Sequence, residues 1–218
     1  LNHLASDDLF NDDRTYSRIN YKLNPSANTQ IEISGEYASD TNYFEDLSQS
    51  TNESSRTHLS RDIAFKSFGK NWMLNVGMTN YQILDDQPKC LIKEICDQNE
   101  PHRLKPYMNF NGQWQIKESN INFNVDSEII FFDHLKSESG KRLKNRTTLS
   151  KIFNLSGIEV KPSLGLDYAK FESDSNEIDT KRTMPIYSLD IKANLIRISD
   201  DGGIRHSLQP RMMAVHIP

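Results

Sequence analysis

Apolar and polar residues alternate along 120–132, NINFNVDSEIIFF. Ile121, Phe123, Val125, Ile129 and Phe131 fall on one side of an extended chain, and Asn122, Asn124, Asp126 and Glu128 on the other. Successive side chains of a strand point to opposite faces, so a period of two predicts a strand with one apolar and one polar face. The same period recurs. Ile19, Tyr21 and Leu23 alternate with Arg18, Asn20 and Lys22 in 15–23; Ile31, Ile33 and Tyr37 alternate with Gln30, Glu32 and Glu36 in 30–37. Trp72, Leu74, Val76 and Met78 oppose Asn75, Gly77 and Thr79; Met108, Phe110, Trp114 and Ile116 oppose Asn109, Asn111, Gln113 and Gln115. Leu164, Leu166 and Tyr168 oppose Ser163 and Asp167 in 158–169; Leu189, Ile191 and Leu195 oppose Asp190, Lys192 and Asn194 in 188–195. Weaker patterns predict strands at 58–67, where Arg61 shares the row of Leu59, Ile63 and Phe65, at 142–150 and at 204–216. The pattern predicts about ten strands.

The connections alternate in length. Short turns are predicted near 24–28, 68–71, 117–119, 151–157 and 199–203, and long polar loops near 38–57, 85–105, 133–141 and 172–183. Several strands run well past the usual five or six residues. Thirteen residues span roughly 43 Å at about 3.3 Å per residue. Tilted by about 45°, such a strand projects roughly 30 Å, the thickness of a hydrocarbon bilayer core. Long alternating strands with tight turns at one end and long loops at the other predict an all-β, antiparallel transmembrane β-barrel. Apolar rows then face lipid and polar rows face a wet lumen. A lipid-facing Arg costs about 2–4 kcal/mol at the midplane and little near the interfaces, and Arg61 lies toward the long-loop end of its strand. Trp72 and Trp114 fall close to short turns, where an aromatic girdle belongs. Ten strands leave edges that a bilayer does not tolerate, so 1–218 is expected to be part of a larger barrel. The first residue, Leu1, and the strand-like last run, RMMAVHIP, agree with that expectation.

Composition narrows the function. Only 36% of residues are apolar and mean hydropathy is −0.68, low for a compact soluble core. Net charge is −4, with no basic stripe of the kind that releases phosphate counterions, which argues against nucleic acid as a partner. Six scattered histidines show no ligand spacing, and no nucleophile elbow or phosphate-binding glycine loop is present, so no metal, cofactor or catalytic residue is expected. The acidic run SDDLFNDD (6–13) reads as a solvated loop. Cys90 and Cys96 read as two thiols or, in an oxidising compartment, as a small loop disulfide. Pro162 and Pro210 sit inside strand patterns and predict a bulge or an edge.

Pieces spread through the chain carry a family resemblance: DLFNDDRTYSRINYK (8–22), YASDTNYFEDL (37–47), NYQIL (80–84), KPYMNFNG (105–112), VKPSLGLDYAKF (160–171), MPIYSLD (184–190) and HSLQPRMMAVHIP (206–218). In order and spacing they resemble the C-terminal barrel of the LPS-assembly protein LptD family, once called organic solvent tolerance protein. The match corresponds to a middle section of that barrel. The resemblance implies a translocon that inserts lipopolysaccharide into the outer leaflet of the Gram-negative outer membrane. It also implies a lipoprotein plug of the LptE kind and a periplasmic jelly roll, not among these residues, that receives lipopolysaccharide from bridge proteins. The family's long-range disulfides involve other positions than Cys90 and Cys96, so that pairing does not transfer.

Such a role needs a hydrophilic path for sugars and phosphates and no bond making. Asn109, Gln113, Asn122, Asn124, Asp126, Glu128, Asp190 and Lys192 are the expected lumen-lining residues. The competing readings are another outer-membrane barrel (a porin, a plugged transporter or a barrel enzyme) and a soluble secreted all-β binding protein.

Overall fold

A computed structural model of the chain describes residues 1–7, 12–48, 50–84, 101–134, 137–175, 179–198 and 205–218. Cys90 and Cys96 lie outside the described residues. Ten long or principal strands coincide with the ten predicted: β2 (Asp12–Ser26), β3 (Thr29–Ala38), β4 (His58–Phe68), β5 (Trp72–Ile83), β6 (Arg103–Ile116), β7 (Ile121–Asp133), β8 (Gly140–Lys151), β10 (Ile158–Ser173), β11 (Asp179–Ala193) and β14 (Arg211–His216). Shorter strands join them: β1 (Asn2–Asp7), β9 (Phe153–Leu155), β12 (Leu195–Ile198) and β13 (Arg205–Leu208). Two short helices, α1 (Tyr43–Leu47) and α2 (Thr51–Ser54), occupy the loop after β3. Every strand pair is antiparallel. The main sheet runs β1-β2-β3-β4-β5-β6-β7-β8-β10-β11-β14, with β9 on β10, while β12 and β13 form a small second sheet. Chain order and sheet order agree, as in a meander.

Register decides which residues share a face, because directly opposed residues point the same way. Ile19 opposes Gly35, Ile33 opposes Ile63, Phe110 opposes Ser127 and Leu164 opposes Tyr187 on one side. Arg18 opposes Glu36, Asn109 opposes Glu128 and Arg146 opposes Asp167 on the other. The apolar face is uncovered: Ile19 is 58% exposed and Leu164 51%. Among the described residues the buried apolar cluster is Ala38, Tyr43, Phe44, Leu59 and Leu84, with Tyr16 against it, beneath the α1–α2 loop. At the short-turn end, Trp72, Phe110, Trp114 and Phe123 form a chain of rings with centroids 6.3, 6.3 and 5.8 Å apart.

Several boundaries differ from the pattern reading. Both ends of the loop expected at 172–183 are strand instead: β10 runs to Ser173 and β11 begins at Asp179. Thr183, Arg182 and Lys181 are polar yet extended, since each has a partner in β10; ladder bonding rather than hydropathy holds them there. The turn expected at 151–157 contains β9, and the reversal is made by Ser156 and Gly157, both at positive φ. Such angles match the right-handed twist of a two-residue hairpin. The strand expected at 204–216 is broken at Pro210 into β13 and β14. Pro162 causes no bulge. It pairs with Leu189 in β11, while on its other side the ladder lapses between β8 and β9. A register shift not foreseen falls between Leu104 and Tyr107, around Pro106.

Beyond Gly35 and Arg61, β3 and β4 no longer pair. There the Gln82 side chain crosses from β5, accepting from the Ala38 N–H at 3.3 Å and donating to the Ala38 carbonyl at 2.6 Å.

Tyr107 lies over Gly77 on the polar face. A Cβ at position 77 would come within 2.5 Å of the Tyr107 hydroxyl and 2.6 Å of the Ile63 carbonyl oxygen. Because the second contact is backbone, it cannot swing away. Gly77→Val is expected to destabilise the sheet by about 1–3 kcal/mol, as overpacking does. Urea unfolding followed by the fluorescence of Trp72 and Trp114 measures it; an unchanged midpoint would contradict this packing.

Candidate functional site

The polar rows of β6, β7, β8, β10 and β11 lie side by side and form an open groove of about 470 Å³. Its walls carry Asn109, Asn111, Asp126, Glu128, Lys144, Arg146, Asp167 and Arg182. The carboxylates and cations are interlaced. Arg146 makes a 2.6 Å ion pair with Asp167, which Arg182 also reaches at 3.5 Å. Glu128 lies 2.9 Å from Arg142 and 3.9 Å from Lys144. Asn111 donates to Asp126 at 2.6 Å. These side chains stay partly exposed, so each pair is worth little to stability; together they make a surface studded with donors and acceptors.

All eight residues expected to line a lumen fall on this polar face. Asn109, Gln113, Asn122, Asn124, Asp126 and Glu128 are contiguous across β6 and β7, where Gln113 opposes Asn124 and Asn109 opposes Glu128. Asp190 and Lys192 stand apart on β11; Asp190 holds Arg211 of β14 at 2.6 Å. The pattern reading passed over Arg142, Lys144, Arg146 and Arg182. The two-residue turn at Ser156 and Gly157 brings Arg146 opposite Asp167, while the longer 134–139 connection, whose register no pattern in one strand gives, brings it opposite Asp126.

A second polar cluster sits at the long-loop end. Arg14 is fully buried, and its guanidinium bonds Asp40 at 2.7 and 3.0 Å, Asp46 at 3.0 Å and Asp7 at 3.2 Å, with Tyr43 stacked at 5.6 Å. Three carboxylates from three chain segments meet on one planar fork, the geometry guanidinium suits and ammonium does not. The run at 6–13 is therefore not simply a solvated loop, since Asp7 is a buried partner of Arg14. Nearby, Tyr16 donates to Glu36 at 2.6 Å, Arg56 pairs with the same carboxylate, and Arg56 lies over Phe44 at 4.8 Å. The α1–α2 loop is thus tied down over the polar face, and its Asn52, Glu53 and Arg56 join Arg18 and Asn20 around a second groove of about 430 Å³. His102 and His134 meet with ring centroids 4.7 Å apart, which their spacing gave no reason to expect. Among the described residues no group of three or more His, Cys, Asp or Glu is placed to hold a metal ion.

A meander of long antiparallel strands, apolar on one face and hydrophilic on the other, is the wall of a β-barrel. The chain matches the family model LptD, LPS transport system D, over residues 12–218, and it belongs to that family. It is similar to the LPS-assembly proteins LptD of Shewanella denitrificans (25% identical over 205 residues, 87% of this chain), Azoarcus sp. (24% over 229 residues, 99% of this chain) and Chromobacterium violaceum (27% over 187 residues, 83% of this chain). The chain spans about a quarter of the length of these curated relatives: 25%, 27% and 23% respectively.

Removing Arg14 leaves Asp7, Asp40 and Asp46 facing one another. Arg14→Ala is expected to cost about 3–5 kcal/mol, the usual penalty for stripping one partner from a buried ion pair. Asp46→Asn, at the most exposed of the three carboxylates, should cost about 1 kcal/mol or less. Limited proteolysis within 41–57 reads both; equal cleavage of the two variants would refute the ranking.

Proposed function

We propose that residues 1–218 form a section of the outer-membrane barrel of a lipopolysaccharide-assembly translocon. Its role is to help insert lipopolysaccharide into the outer leaflet of the Gram-negative outer membrane, without catalysing any reaction. One observation carries the reading beyond family membership: among the described residues, no protein layer lies over the apolar rows. Burying such side chains is worth about 25 cal/mol per Å², so a face of exposed Ile, Leu, Phe and Met calls for an apolar medium. A bilayer supplies that medium to strands of this length.

In this setting the apolar face meets outer-membrane lipid and the polar face borders the lumen. Asn109, Gln113, Asn122, Asn124, Asp126, Glu128, Asp190 and Lys192 then contact either the saccharide of passing lipopolysaccharide or a plug of the LptE kind. Periplasmic bridge proteins deliver the substrate through a domain outside these residues. The long loops, with the Arg14 cluster, stand at the cell surface.

Depleting the native protein that carries this chain should halt the appearance of newly made lipopolysaccharide at the cell surface, read by modification of lipid A by outer-leaflet enzymes. Continued delivery would end the proposal. Because polar contacts are distributed over the groove, Asn124→Ala alone should leave delivery within about twofold, whereas reversing two charges, Arg146→Glu with Arg182→Glu, should slow it by about tenfold. The contrast follows because Asn124→Ala removes one neutral polar group, whereas the two reversals place repelling carboxylates beside Asp167.

A further inference from the structure

Arg61 stands on the apolar row of β4, two residues beyond Ile63 toward the long-loop end. Its Nε donates to the Glu36 carbonyl at 3.2 Å, its Nη2 donates to Gln82 Oε1 at 2.7 Å, and the group lies 5.8 Å from the Tyr37 ring. Among the described residues it meets no carboxylate, unlike Arg146, Arg182 and Arg211 on the polar face, each of which does. The neighbouring carboxylates of Glu36 and Asp62 are engaged on the opposite face, by Tyr16, Arg56 and Ser34. Beneath Arg61 an apolar groove of about 460 Å³ is lined by Ile19, Ile33, Ile63 and Met78. Gly35 forms part of its floor. A Cβ there would meet nothing nearer than 3.6 Å, so no steric demand explains the glycine; its effect is to leave the groove open. At the mouth stand Ser17, Tyr37, Asn80 and Lys105, the last paired with Asp133 at 2.7 Å. Glu36 and Asp62 also border the groove, so what marks its mouth is a guanidinium with no carboxylate partner among the described residues rather than a net charge.

We propose that Arg61 and this groove form an external lipid site for a phosphorylated glycolipid of the outer leaflet. A phosphate of a bisphosphorylated glucosamine headgroup sits on the guanidinium, sugar hydroxyls meet Ser17, Tyr37 and Asn80, and an acyl chain lies along Ile19, Ile33, Ile63 and Met78. This rests on the proposed function only in placing the long-loop end at the outer leaflet. A cation on a hydrocarbon-facing row is tolerable where it reaches the headgroup level and finds a counter-charge. The protein withholds a carboxylate from Arg61, so the anion comes from the membrane. Guanidinium suits phosphate because its fork offers two parallel donors. The groove is on the outside of the sheet, away from the hydrophilic path, so its occupant is lipid already delivered rather than lipid in transit.

The test uses the native outer-membrane protein that carries this chain, purified in mild detergent with its partner subunit and titrated with lipid A under native mass spectrometry. Arg61→Gln keeps a donor for the Glu36 carbonyl but removes the charge, and should weaken lipid A binding by about tenfold or more, the worth of a charge-assisted hydrogen bond. Arg61→Lys should restore most of it. Gly35→Leu fills the groove without touching the charge and should weaken binding comparably, which keeps the test decisive if Arg61→Gln folds poorly. Lipid A affinity equal to that of the unaltered protein in both Arg61→Gln and Gly35→Leu would overturn the site. Displacement by equimolar phosphatidylglycerol, or by inorganic phosphate, would overturn the glycolipid assignment. The depletion experiment separates the two proposals: surface delivery that continues removes the translocon reading while charge-dependent lipid A binding still supports the site, and delivery that halts with unaltered Arg61→Gln and Gly35→Leu binding removes the site alone.

Discussion

Backbone pairing holds this sheet together. Each strand from β2 to β8, and β10 and β11, has a neighbour on both sides over at least part of its length, so most of their N–H and C=O groups are satisfied within the ladder. In hydrocarbon an unpaired backbone group costs several kcal/mol, which makes strand continuity, rather than a core, the main source of stability. Among the described residues the protein can therefore do with six buried apolar residues, five of them in one cluster, where a soluble domain of this length needs a full interior. Lapses in the ladder are managed one by one. Pro162 sits where β8 has ended and β9 has not begun, and Pro185 lies past the last β14 pair, Tyr187 with His216. A residue without a backbone donor is thus placed where a partner strand is missing.

The division of faces follows from that ladder. Once register is set, every residue's side is set, and a slip by one residue would exchange the two rows. Charges on the polar side are tolerated because they come in opposed pairs: Arg146 and Arg182 on Asp167, Arg142 and Lys144 on Glu128, Arg211 on Asp190. The apolar side carries fewer such pairs, and there Arg61 stands over an open groove and, among the described residues, makes no ion pair with a carboxylate. The α1–α2 loop is the exception to a sheet-only architecture. It has a small core of its own and a buried guanidinium, so it behaves as a folded cap rather than as a tether.

The strands were legible in the sequence because a period of two survives any tertiary context that keeps one face wet and one face dry. NINFNVDSEIIFF needed no further information to be read as β7. Residues 179–183 were not legible, since Asp179, Thr180, Lys181, Arg182 and Thr183 are all polar and extended only because β10 extends beside them. The polar face was read correctly as a set of rows, and Asn109 through Glu128 fall together as their alternation implied. The cross-strand pairings of Arg146 and Arg182 were hidden, because hydropathy in one strand says nothing about what stands opposite. Arg14 was hidden for a different reason. Asp40 and Asp46 come from a loop whose path no periodicity constrains, so a four-member charge cluster around a buried guanidinium looked like scattered surface charge.

The parting of β3 from β4 beyond Gly35 has a mechanical meaning. Along most of the sheet a lateral pull is shared by a row of ladder bonds, but here two strands already diverge, and the amide of Gln82 and the guanidinium of Arg61 span the gap. A crack in any cross-linked sheet advances from its notch, and this notch opens at the loop-bearing rim. Tearing under tension would begin between β3 and β4, with side chains rather than backbone carrying the first load.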